Sequence, residues 1–370
     1  MSGTVANNLE RSSGTIGAAG SGITVDSGDP ALDTNPAGGV GTVWSNSTSG
    51  ETYVCTDATA GANVWKNVGD GTGDVPPPTF QGESYGFVTG GYPAPIKIDI
   101  ERFSFTSDGN STDVGDLSVA RFNIGGATDF NTNYGYMQGG QNGGYSNIID
   151  RFDMTAGGTA SDVGNLTHAR NPTAGASSST HGYATGGESA SPTSTNIIDK
   201  FAYGSSSDST DVGNLTVAGT DIGGGTSESY GYAFGGYRSG ASDIIEKYSF
   251  SSDGDATDVG NLTVARDNMG AANSSPTYVY ANGGGLSPTT NIIDKWAIAS
   301  DGNATDVGDL TASRHHIVGT PSKTYGYCTG GYAVPTWFDI IEKFSLSSDG
   351  NSTDVGDITV AKGYMGTCQY

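Results

Sequence analysis

The stretch that decides the fold is IDIERFSFTSDGNSTDVGDLSVAR, residues 98–121, because the chain repeats it almost unchanged as DIIEKFSLSSDGNSTDVGDITVAK, residues 339–362. More copies lie between these two. The Asp-Val-Gly triplet within the repeat begins at Asp113, Asp162, Asp211, Asp258, Asp306 and Asp354, so successive triplets are 47 to 49 residues apart. A glycine doublet keeps the same period and begins at Gly90, Gly139, Gly186, Gly235, Gly283 and Gly330. Two independent markers with one period indicate six structural repeats.

Each repeat predicts four short β-strands. Aromatic and β-branched runs such as NYGYMQGG (residues 133–140) alternate with gaps rich in Gly, Asn, Asp and Ser. The 60 glycines fit a chain of many tight turns, and no segment has a sustained helical period. Four strands per 40 to 50 residues are typical of a β-propeller blade. The sequence therefore predicts an all-β fold with six blades.

The two ends of the repeat region favour a closed ring over an open stack. The first repeat begins at ESYGFVTGGY, residues 83–92, and lacks the strand that precedes this segment elsewhere. The last repeat leaves a surplus strand within TVAKGYMGTCQY, residues 359–370. Pairing the surplus strand with the first repeat would remove both exposed sheet edges. We therefore expect residues 80–370 to form a six-bladed β-propeller closed by the C-terminal strand.

The repeats resemble the kelch repeat, in which a glycine doublet ends one strand, an aromatic residue follows and an arginine opens the next unit. The aromatic residues are Phe103, Phe152, Phe201, Tyr248, Trp296 and Phe344. The arginines are Arg121, Arg170, Arg266 and Arg314, whereas Gly219 and Lys362 depart from the pattern. The tryptophan usual in kelch repeats is also missing. The resemblance implies a divergent kelch-like propeller.

An acidic residue recurs in the third predicted strand of every repeat. The six acids are Glu101, Asp150, Asp199, Glu246, Asp294 and Glu342. Strand alternation places Glu246 on the same face as Ile244 and Tyr248, so this carboxylate needs hydrogen-bond donors. Backbone N–H groups near the glycine doublet and the repeated arginine are the two candidates. The acids could surround a site, but their sixfold repetition favours an internal structural brace, and the repeat ending in Gly219 should then contain a substitute for arginine.

The loop that follows each glycine doublet varies in sequence, as in YPAPIKID (residues 92–99) and YAVPTWFD (residues 332–339). Constant scaffolds with variable loops are a common way to build binding surfaces. Exposed aromatic side chains in such loops could stack on sugar rings, form a protein contact, or cover the ends of the blades. The candidate ligand-binding residues are Tyr92, Tyr145, Tyr237, Arg238, Tyr332, Trp337 and Phe338.

Composition and motifs exclude several classes of function. The net charge of −23 argues against nucleic acid and anionic membranes as partners, and no apolar run is long enough to cross a bilayer. The SDGN turns, such as the one at Asp108, offer calcium-like oxygen spacing, but a plain hairpin turn is the favoured interpretation. The adjacent His315 and His316 should point to opposite faces of a strand. We expect no enzyme activity, no catalytic residues, no metal site and no cofactor.

The residues before the propeller predict three further segments. Residues 1–40 are rich in Gly, Ser, Ala and Thr and predict an extended arm. Residues 41–68 predict a small β-meander of two or three strands, and residues 69–79 form a linker stiffened by prolines.

The segment GETYVCTDATAGANVW (residues 50–65) resembles the anchoring regions of virion appendage proteins of marine phages, especially those that infect cyanobacteria. SDGNATDVGDLT (residues 300–311) and GYCTGGY (residues 326–332) are similar to repeats of their tail-fibre-like proteins. The resemblance implies a structural protein located in the virion, attached to other virion proteins through residues 1–68, present as a homo-oligomer, and contacting a glycan or receptor on the host surface. The alternatives are a capsid-decoration, head-fibre or tail-assembly protein with virion partners only and, less favoured, a glycan-degrading tailspike-like enzyme.

Overall fold

A computed structural model describes residues 23–68, 81–171, 174–270, 272–285 and 288–370. These residues form strands, turns and bends, and the described part of the chain is all-β. It contains no helix long and apolar enough to cross a bilayer. The chain divides into two compact units, Met1–Pro78 and Thr79–Tyr370. The predicted linker at residues 69–79 and residues 1–22 of the predicted arm lie outside the described residues.

The first unit contains one four-stranded sheet in the order β1-β2-β3-β4. Its strands are β1 (Thr24–Asp26), β2 (Val43–Asn46), β3 (Thr52–Asp57) and β4 (Val64–Asn67). β2, β3 and β4 form the antiparallel meander that the sequence predicts. β1 pairs with β2 in parallel, so residues 24–26 belong to this sheet although the sequence assigned them to the arm. The side chains of Tyr53, Cys55 and Trp65 are fully buried against one face.

In the described part of the second unit, 24 strands form six antiparallel sheets of four strands each, numbered here in chain order. Sheet 1 contains β5 (Tyr85–Thr89), β6 (Asp99–Ser104), β7 (Thr112–Asp116) and the last strand, β32 (Gly366–Gln369). Sheet 2 contains β8 (Gly125–Asp129), β9 (Tyr134–Gln138), β10 (Ile148–Asp153) and β11 (Ser161–Asn165). Sheet 3 contains β13 (Ala174–Ser177), β14 (His181–Thr185), β16 (Thr195–Ala202) and β17 (Thr210–Gly219).

The remaining sheets follow the same plan. Sheet 4 contains β18 (Gly223–Thr226), β19 (Tyr230–Phe234), β20 (Ser242–Ser249) and β21 (Thr257–Arg266). Sheet 5 contains β22 (Asn273–Ser274), β23 (Tyr278–Asn282), β24 (Ile292–Ala297) and β25 (Thr305–Asp309). Sheet 6 contains β26 (Val318–Pro321), β27 (Tyr325–Thr329), β30 (Ile340–Ser345) and β31 (Thr353–Asp357). Two short pairs lie outside the six sheets: β12 (Arg170–Asn171) with β15 (Glu188–Ser189), and β28 (Tyr332–Ala333) with β29 (Thr336–Trp337).

The C-terminal strand completes sheet 1. β32 pairs antiparallel with β5, with Gly366 opposite Thr89 and Cys368 opposite Phe87. The two strands come from opposite ends of the repeat region. This is the pairing expected from the surplus strand of the last repeat. It gives sheet 1 four strands, the same number as each of the other five sheets.

Buried apolar side chains fill the space between consecutive sheets. On β20, Tyr248 packs towards sheet 3 and Ile245 packs towards sheet 5, as strand alternation requires. Equivalent clusters lie between sheets 1 and 2, 2 and 3, and 5 and 6. A further cluster joins sheet 6 to sheet 1 and includes Tyr327, Ile341 and Phe103. The last sheet therefore packs against the first as the other neighbours pack against each other.

The repeated Asp-Val-Gly triplet has a structural cause. The Asp306 carboxylate accepts a hydrogen bond from the N–H of Gly308, which fixes the local turn of the strand. A Cβ atom at Gly308 would lie 2.3 Å from the carbonyl oxygen of Gly350, in the SDGN turn of the next sheet. Glycine is therefore required because the backbones of neighbouring sheets meet there. A Cβ atom at Gly356 of sheet 6 would in the same way lie too close to the carbonyl oxygen of Gly109 of sheet 1.

Candidate functional site

The six repeated acids are buried and each is paired with a base. Three of the pairs are Arg121–Asp150 at 2.9 Å, Arg170–Asp199 at 2.8 Å and Arg266–Asp294 at 2.8 Å. Lys362 pairs with Glu101 at 2.7 Å, and Arg314 and Arg238 pair with Glu342 and Glu246. In each pair both side chains are almost fully buried. Because every acid is neutralised by a neighbour, these pairs act as internal braces and leave no free carboxylate for a ligand.

Glu101 shows how such a buried acid stays ionised. Burial alone would raise the pKa of Glu101, but the Lys362 ammonium and hydrogen bonds from Ser111 and Thr359 hold it below its ordinary value. The Ser111 hydroxyl lies 2.5 Å from Oε2 of Glu101, and the Thr359 N–H lies 2.8 Å from the same atom. Burial lowers the pKa of Arg121 and Arg266, against the opposing effect of their aspartate partners.

Arg238 is the substitute for the arginine missing at Gly219. It reaches the Glu246 carboxylate from the variable loop of its own sheet, whereas the other bases come from the end of the preceding sheet or from the connection that follows it. A Cβ atom at Gly219 would lie 2.8 Å from Cγ of Arg238, so the glycine leaves room for the incoming side chain. The expectation that Arg238 contacts a ligand is therefore corrected, because its side chain is buried in a brace.

The SDGN turns are occupied by protein contacts. Asp253 pairs with Lys200 of the preceding sheet at 2.5 Å, and Asp301, Asp349 and Asp108 pair in the same way with Lys247, Lys295 and Lys343. The turn asparagine also accepts a backbone N–H, as Asn351 does from Asp309 at 3.1 Å. Within the described residues, no three His, Cys, Asp or Glu side chains form a group that could hold a metal ion.

The variable loops lie beside the connections between sheets. Tyr92 pairs with Gly363, Gln141 with Phe122, Tyr237 with Thr220, and Tyr332 with His315, each through isolated backbone bridges. We call β32, β8, β13, β18, β22 and β26 the first strands of sheets 1 to 6. The loops and the connections therefore form a common surface at the beginning of the first strands.

Seven rings gather where sheet 6 meets sheet 1, and we call them the aromatic cluster. Its members are Tyr92, Phe122, His315, His316, Tyr332, Trp337 and Tyr364. Trp337 lies 4.4 Å from Tyr332 and 5.5 Å from Tyr92, measured between ring centroids. The His316 ring stacks on Tyr364 at 3.4 Å. Tyr92 is 36% exposed, and the other rings are half-buried or buried.

The aromatic cluster contains three of the residues predicted from the loops: Tyr92, Tyr332 and Trp337. The structure places the other predicted residues elsewhere. Phe338 packs on the Arg314 guanidinium at 5.3 Å, Tyr145 lies near Glu188, and Tyr237 is 49% exposed at sheet 4. Sequence reasoning missed the four members that come from the connections, Phe122, His315, His316 and Tyr364. Each of them lies one or two residues after the arginine or lysine of a brace.

The prediction that His315 and His316 point apart is wrong. Their ring centroids are 4.6 Å from each other. His316 has a φ of 54°, in the left-handed region, and this conformation breaks the alternation of an extended strand. Burial lowers the pKa of both imidazoles.

Four other residues at the same place in their repeats have the same left-handed conformation. They are Asn123, Asp221, Asn268 and Tyr364, with φ between 52° and 60°. Asn123, Asp221, His316 and Tyr364 each lie two residues before the first strand of a sheet. Because the conformation recurs in five repeats, it belongs to the repeated backbone turn, and it is uncommon for a tyrosine such as Tyr364.

Three of these residues, Asn123, His316 and Tyr364, lie at the mouth of a narrow cavity. The cavity is lined by the first strands of the six described sheets, including Gly126, Gly175, Gly224 and Thr367. At its mouth lies a small pocket of about 10 Å³, room for about one water molecule, with Asn123, His316 and Tyr364 in its wall. The pocket and the aromatic cluster therefore share His316 and Tyr364.

Asp221 lies beside the pocket, because its carbonyl oxygen accepts a hydrogen bond from the N–H of Met269, which lines the pocket wall. Burial, with Glu188 and Asp267 as smaller contributions, raises the pKa of Asp221 to about 6. Burial also raises the pKa of Tyr364, and the Asp221 charge adds to this shift. The basic side chains packed beneath the cluster, Arg314 and Lys362, are neutralised by Glu342 and Glu101.

No protein-family model and no curated protein sequence matches the chain.

Proposed function

We propose that the protein is a structural phage virion protein, a tail-fibre-like appendage in which a six-bladed kelch-like propeller contacts a glycan on the host surface. The observation that carries the ligand class is the aromatic cluster, in which rings from two variable loops and from the neighbouring connections lie together on one surface. Aromatic rings bind the apolar faces of sugars, and the polar groups around them select orientation.

The propeller arrangement is supported by the packing of neighbouring sheets. Six sheets of four strands pack in sequence, and sheet 6 packs on sheet 1 through Tyr327, Ile341 and Phe103. The first strands of the described sheets line a common cavity. The alternative arrangement, an open stack, would leave the outer faces of sheets 1 and 6 unpaired.

The virion assignment is supported by the resemblance of residues 50–65 and of the repeats to phage appendage proteins. By that assignment, residues 1–68 dock on other virion proteins and the loops of the propeller face the host. The aromatic cluster then lies on the surface that meets the cell.

The proposal is tested by binding of the full chain to host cells and to polysaccharide purified from them. Trp337→Ala and Tyr92→Ala should weaken binding at least tenfold, because each removes a ring from the cluster. Tyr325→Ala is the matched control, since Tyr325 is 37% exposed but begins β27, whereas Trp337 ends β29, the short strand within the variable loop.

A reconstruction of the whole particle by cryo-electron microscopy separates the rivals. Loops facing outward at a tail support the proposal. Loops buried against capsid or tail proteins contradict the receptor role and favour a decoration or assembly protein. Release of reducing ends from the polysaccharide would instead favour a tailspike-like enzyme.

A further inference from the structure

One face of the sheet in the first unit is covered by the unit itself. The fully buried side chains of Tyr53, Cys55 and Trp65 point to this face. A preceding loop is fixed beside them, because the Trp44 indole N–H donates to the Gly28 carbonyl oxygen at 2.9 Å. Since side chains alternate along a strand, the residues between these form the opposite face of the sheet.

The opposite face, which we call the open face, consists of two rows of side chains that run across the sheet. By strand register, the first row is Ile23, Val43, Val54 and Lys66, and the second row is Val25, Ser45, Thr52 and Val68. Five of these eight side chains are aliphatic, and Lys66 is the one charged member. The aliphatic side chains at the two edges face solvent, with Ile23 61%, Val25 66% and Val68 61% exposed.

The two rows are complementary to themselves under a two-fold rotation about an axis parallel to the strands. This rotation lays β1 of one copy on β4 of the other and keeps each row on its own row. Val25 then faces Val68 of the second copy, and Val43 faces Val54 of the second copy. Lys66 comes to lie at opposite edges of the pair, so the two ammonium groups are far apart. Such a contact is isologous, because each residue meets its counterpart in both directions.

The other in-plane axis, which runs across the strands, gives a poorer match. It would lay one row on the other, so that Val43 would face the Ser45 hydroxyl of the second copy. It would also place both Lys66 side chains at the same edge. Burying a hydroxyl against an aliphatic side chain and bringing like charges together are both unfavourable. The axis parallel to the strands is therefore favoured, and it places the Ser45 and Thr52 hydroxyls opposite each other, where they can form hydrogen bonds.

Charge and area indicate how two copies would meet. The net charge of −23 makes most surfaces of two copies repel each other, whereas the two rows of the open face contain no carboxylate. Strands about 4.8 Å apart that rise about 3.4 Å per residue give this face about 300 Å². Two copies would bury about 600 Å², less than the about 1,200 Å² of a stable complex, so the contact is weak and reversible.

We propose that the open face binds the open face of a second copy of this chain, so that two sheets form a sandwich with its two-fold axis parallel to the strands. The inference names the partner in the assembly role that the proposed function gives to residues 1–68, and in that respect it rests on the proposed function. Several copies held on one particle have a high effective concentration, so a weak contact is sufficient there.

Sedimentation equilibrium of the full chain at concentrations up to about 1 mM tests the contact, and we expect a reversible dimer. Val25→Lys and Val68→Glu should each weaken dimerisation at least tenfold, because each places a lone charge in the apolar contact. The double variant should dimerise at least fivefold more tightly than either single variant, since the new charges of different copies then face each other. Within one copy the two positions are about 14 Å apart, on opposite edges of the sheet, and cannot pair.

Val334→Lys is the matched control. Val334 is 75% exposed in the second unit, so this variant adds the same charge outside the open face and should dimerise as the wild type does. Misfolding cannot produce the expected pattern, because two damaging substitutions would not restore each other.

The remaining outcomes overturn the inference or separate it from the proposed function. A wild type that stays monomeric at about 1 mM overturns the contact, as do single variants that dimerise as the wild type does. A double variant as weak as the single ones overturns the two-fold arrangement. Binding of host polysaccharide is measured in parallel, because the aromatic cluster lies in the second unit. A monomeric wild type that binds polysaccharide contradicts this inference alone, whereas a dimer that binds neither polysaccharide nor host cells contradicts the proposed glycan contact and supports the contact between copies.

Discussion

The Nζ atom of Lys362 lies 2.7 Å from Oε1 of Glu101, and this ion pair joins the connection after sheet 6 to the third strand of sheet 1. Both side chains are fully buried. The pair therefore repeats, between the last sheet and the first, the brace that arginine forms between consecutive sheets. It lies beside the strand pairing of β32 with β5, so two independent interactions join the ends of the second unit.

Lys362→Met should destabilise the protein by about 3–5 kcal/mol, because it leaves the Glu101 carboxylate buried without a counter-charge. Lys362→Arg should lose clearly less stability than Lys362→Met, since it keeps the counter-charge and arginine occupies the equivalent place in four other braces. Equilibrium unfolding in urea at pH 7 measures both values. A loss below about 1 kcal/mol for Lys362→Met would show that Glu101 is protonated or solvated by water in the variant, and that the ion pair with Lys362 contributes little to stability.

Arg238 and Gly219 provide a rescue experiment. Arg238→Ala should cost about 3–5 kcal/mol through the unpaired Glu246 carboxylate. Adding Gly219→Arg to that variant restores the base at the position used by the other repeats, and removing Arg238 frees the space that the new side chain needs. We expect the double variant to recover at least half of the loss.

Gly219→Arg alone is the control for this rescue, because its Cβ would meet Arg238 at 2.8 Å. It should be less stable than the wild type, so the two substitutions compensate each other. Additive losses in a double-mutant cycle would contradict the assignment of Arg238 as the substitute.

The glycine of the Asp-Val-Gly triplet should resist substitution for a steric reason. Gly308→Ala places a methyl group 2.3 Å from the Gly350 carbonyl oxygen, and the resulting displacement should cost about 1–3 kcal/mol. Gly302→Ala is the matched control, since a Cβ atom there meets no atom within 4 Å. Thermal unfolding of the two variants compares them directly. Equal midpoints would mean that neighbouring sheets separate easily at this contact.

The repeats allowed much of the fold to be predicted. The sequence predicted six units of four strands from the repeat period, the glycine doublets and the surplus strand. The described residues do form an all-β fold with six four-stranded sheets. The parallel pairing of β1 with β2 was not predictable, because a three-residue strand in a polar segment has no distinctive pattern. Only part of the candidate site was accessible from sequence. The aromatic residues of the loops could be identified because the loop sequences vary between repeats. His316 and Tyr364 could not be identified, because their left-handed backbone conformations depart from the side-chain alternation of an extended strand.

Arg238 shows a second reason why the sequence predicted only part of the candidate site. An arginine in a variable loop is a reasonable candidate for ligand binding. The structure shows instead that Arg238 forms a buried ion pair with Glu246 and belongs to a brace. The sequence contained the necessary clue in the glycine at position 219, but it could not indicate which distant base fills the space.

The ionisation of Asp221 should reduce stability as pH rises. Burial raises its pKa from 3.8 to about 6, so the folded protein holds the proton more tightly than the unfolded chain. Its favourable contribution is complete below pH 3.8 and is lost as pH rises through about 6. Asp221→Asn removes this penalty and keeps a residue that tolerates the left-handed backbone.

We therefore expect Asp221→Asn to be more stable than the wild type at pH 8 by on the order of 1–3 kcal/mol, with the difference shrinking towards pH 4. Urea unfolding at several pH values measures the trend. The exposed Asp349→Asn is the control and should change stability by no more than about 1 kcal/mol, since it only loses a surface pair with Lys295. If Asp221→Asn were less stable than the wild type at pH 8, the hydrogen bond from the Thr220 hydroxyl, 3.1 Å from the Asp221 carboxylate, would outweigh the cost of burying the charge.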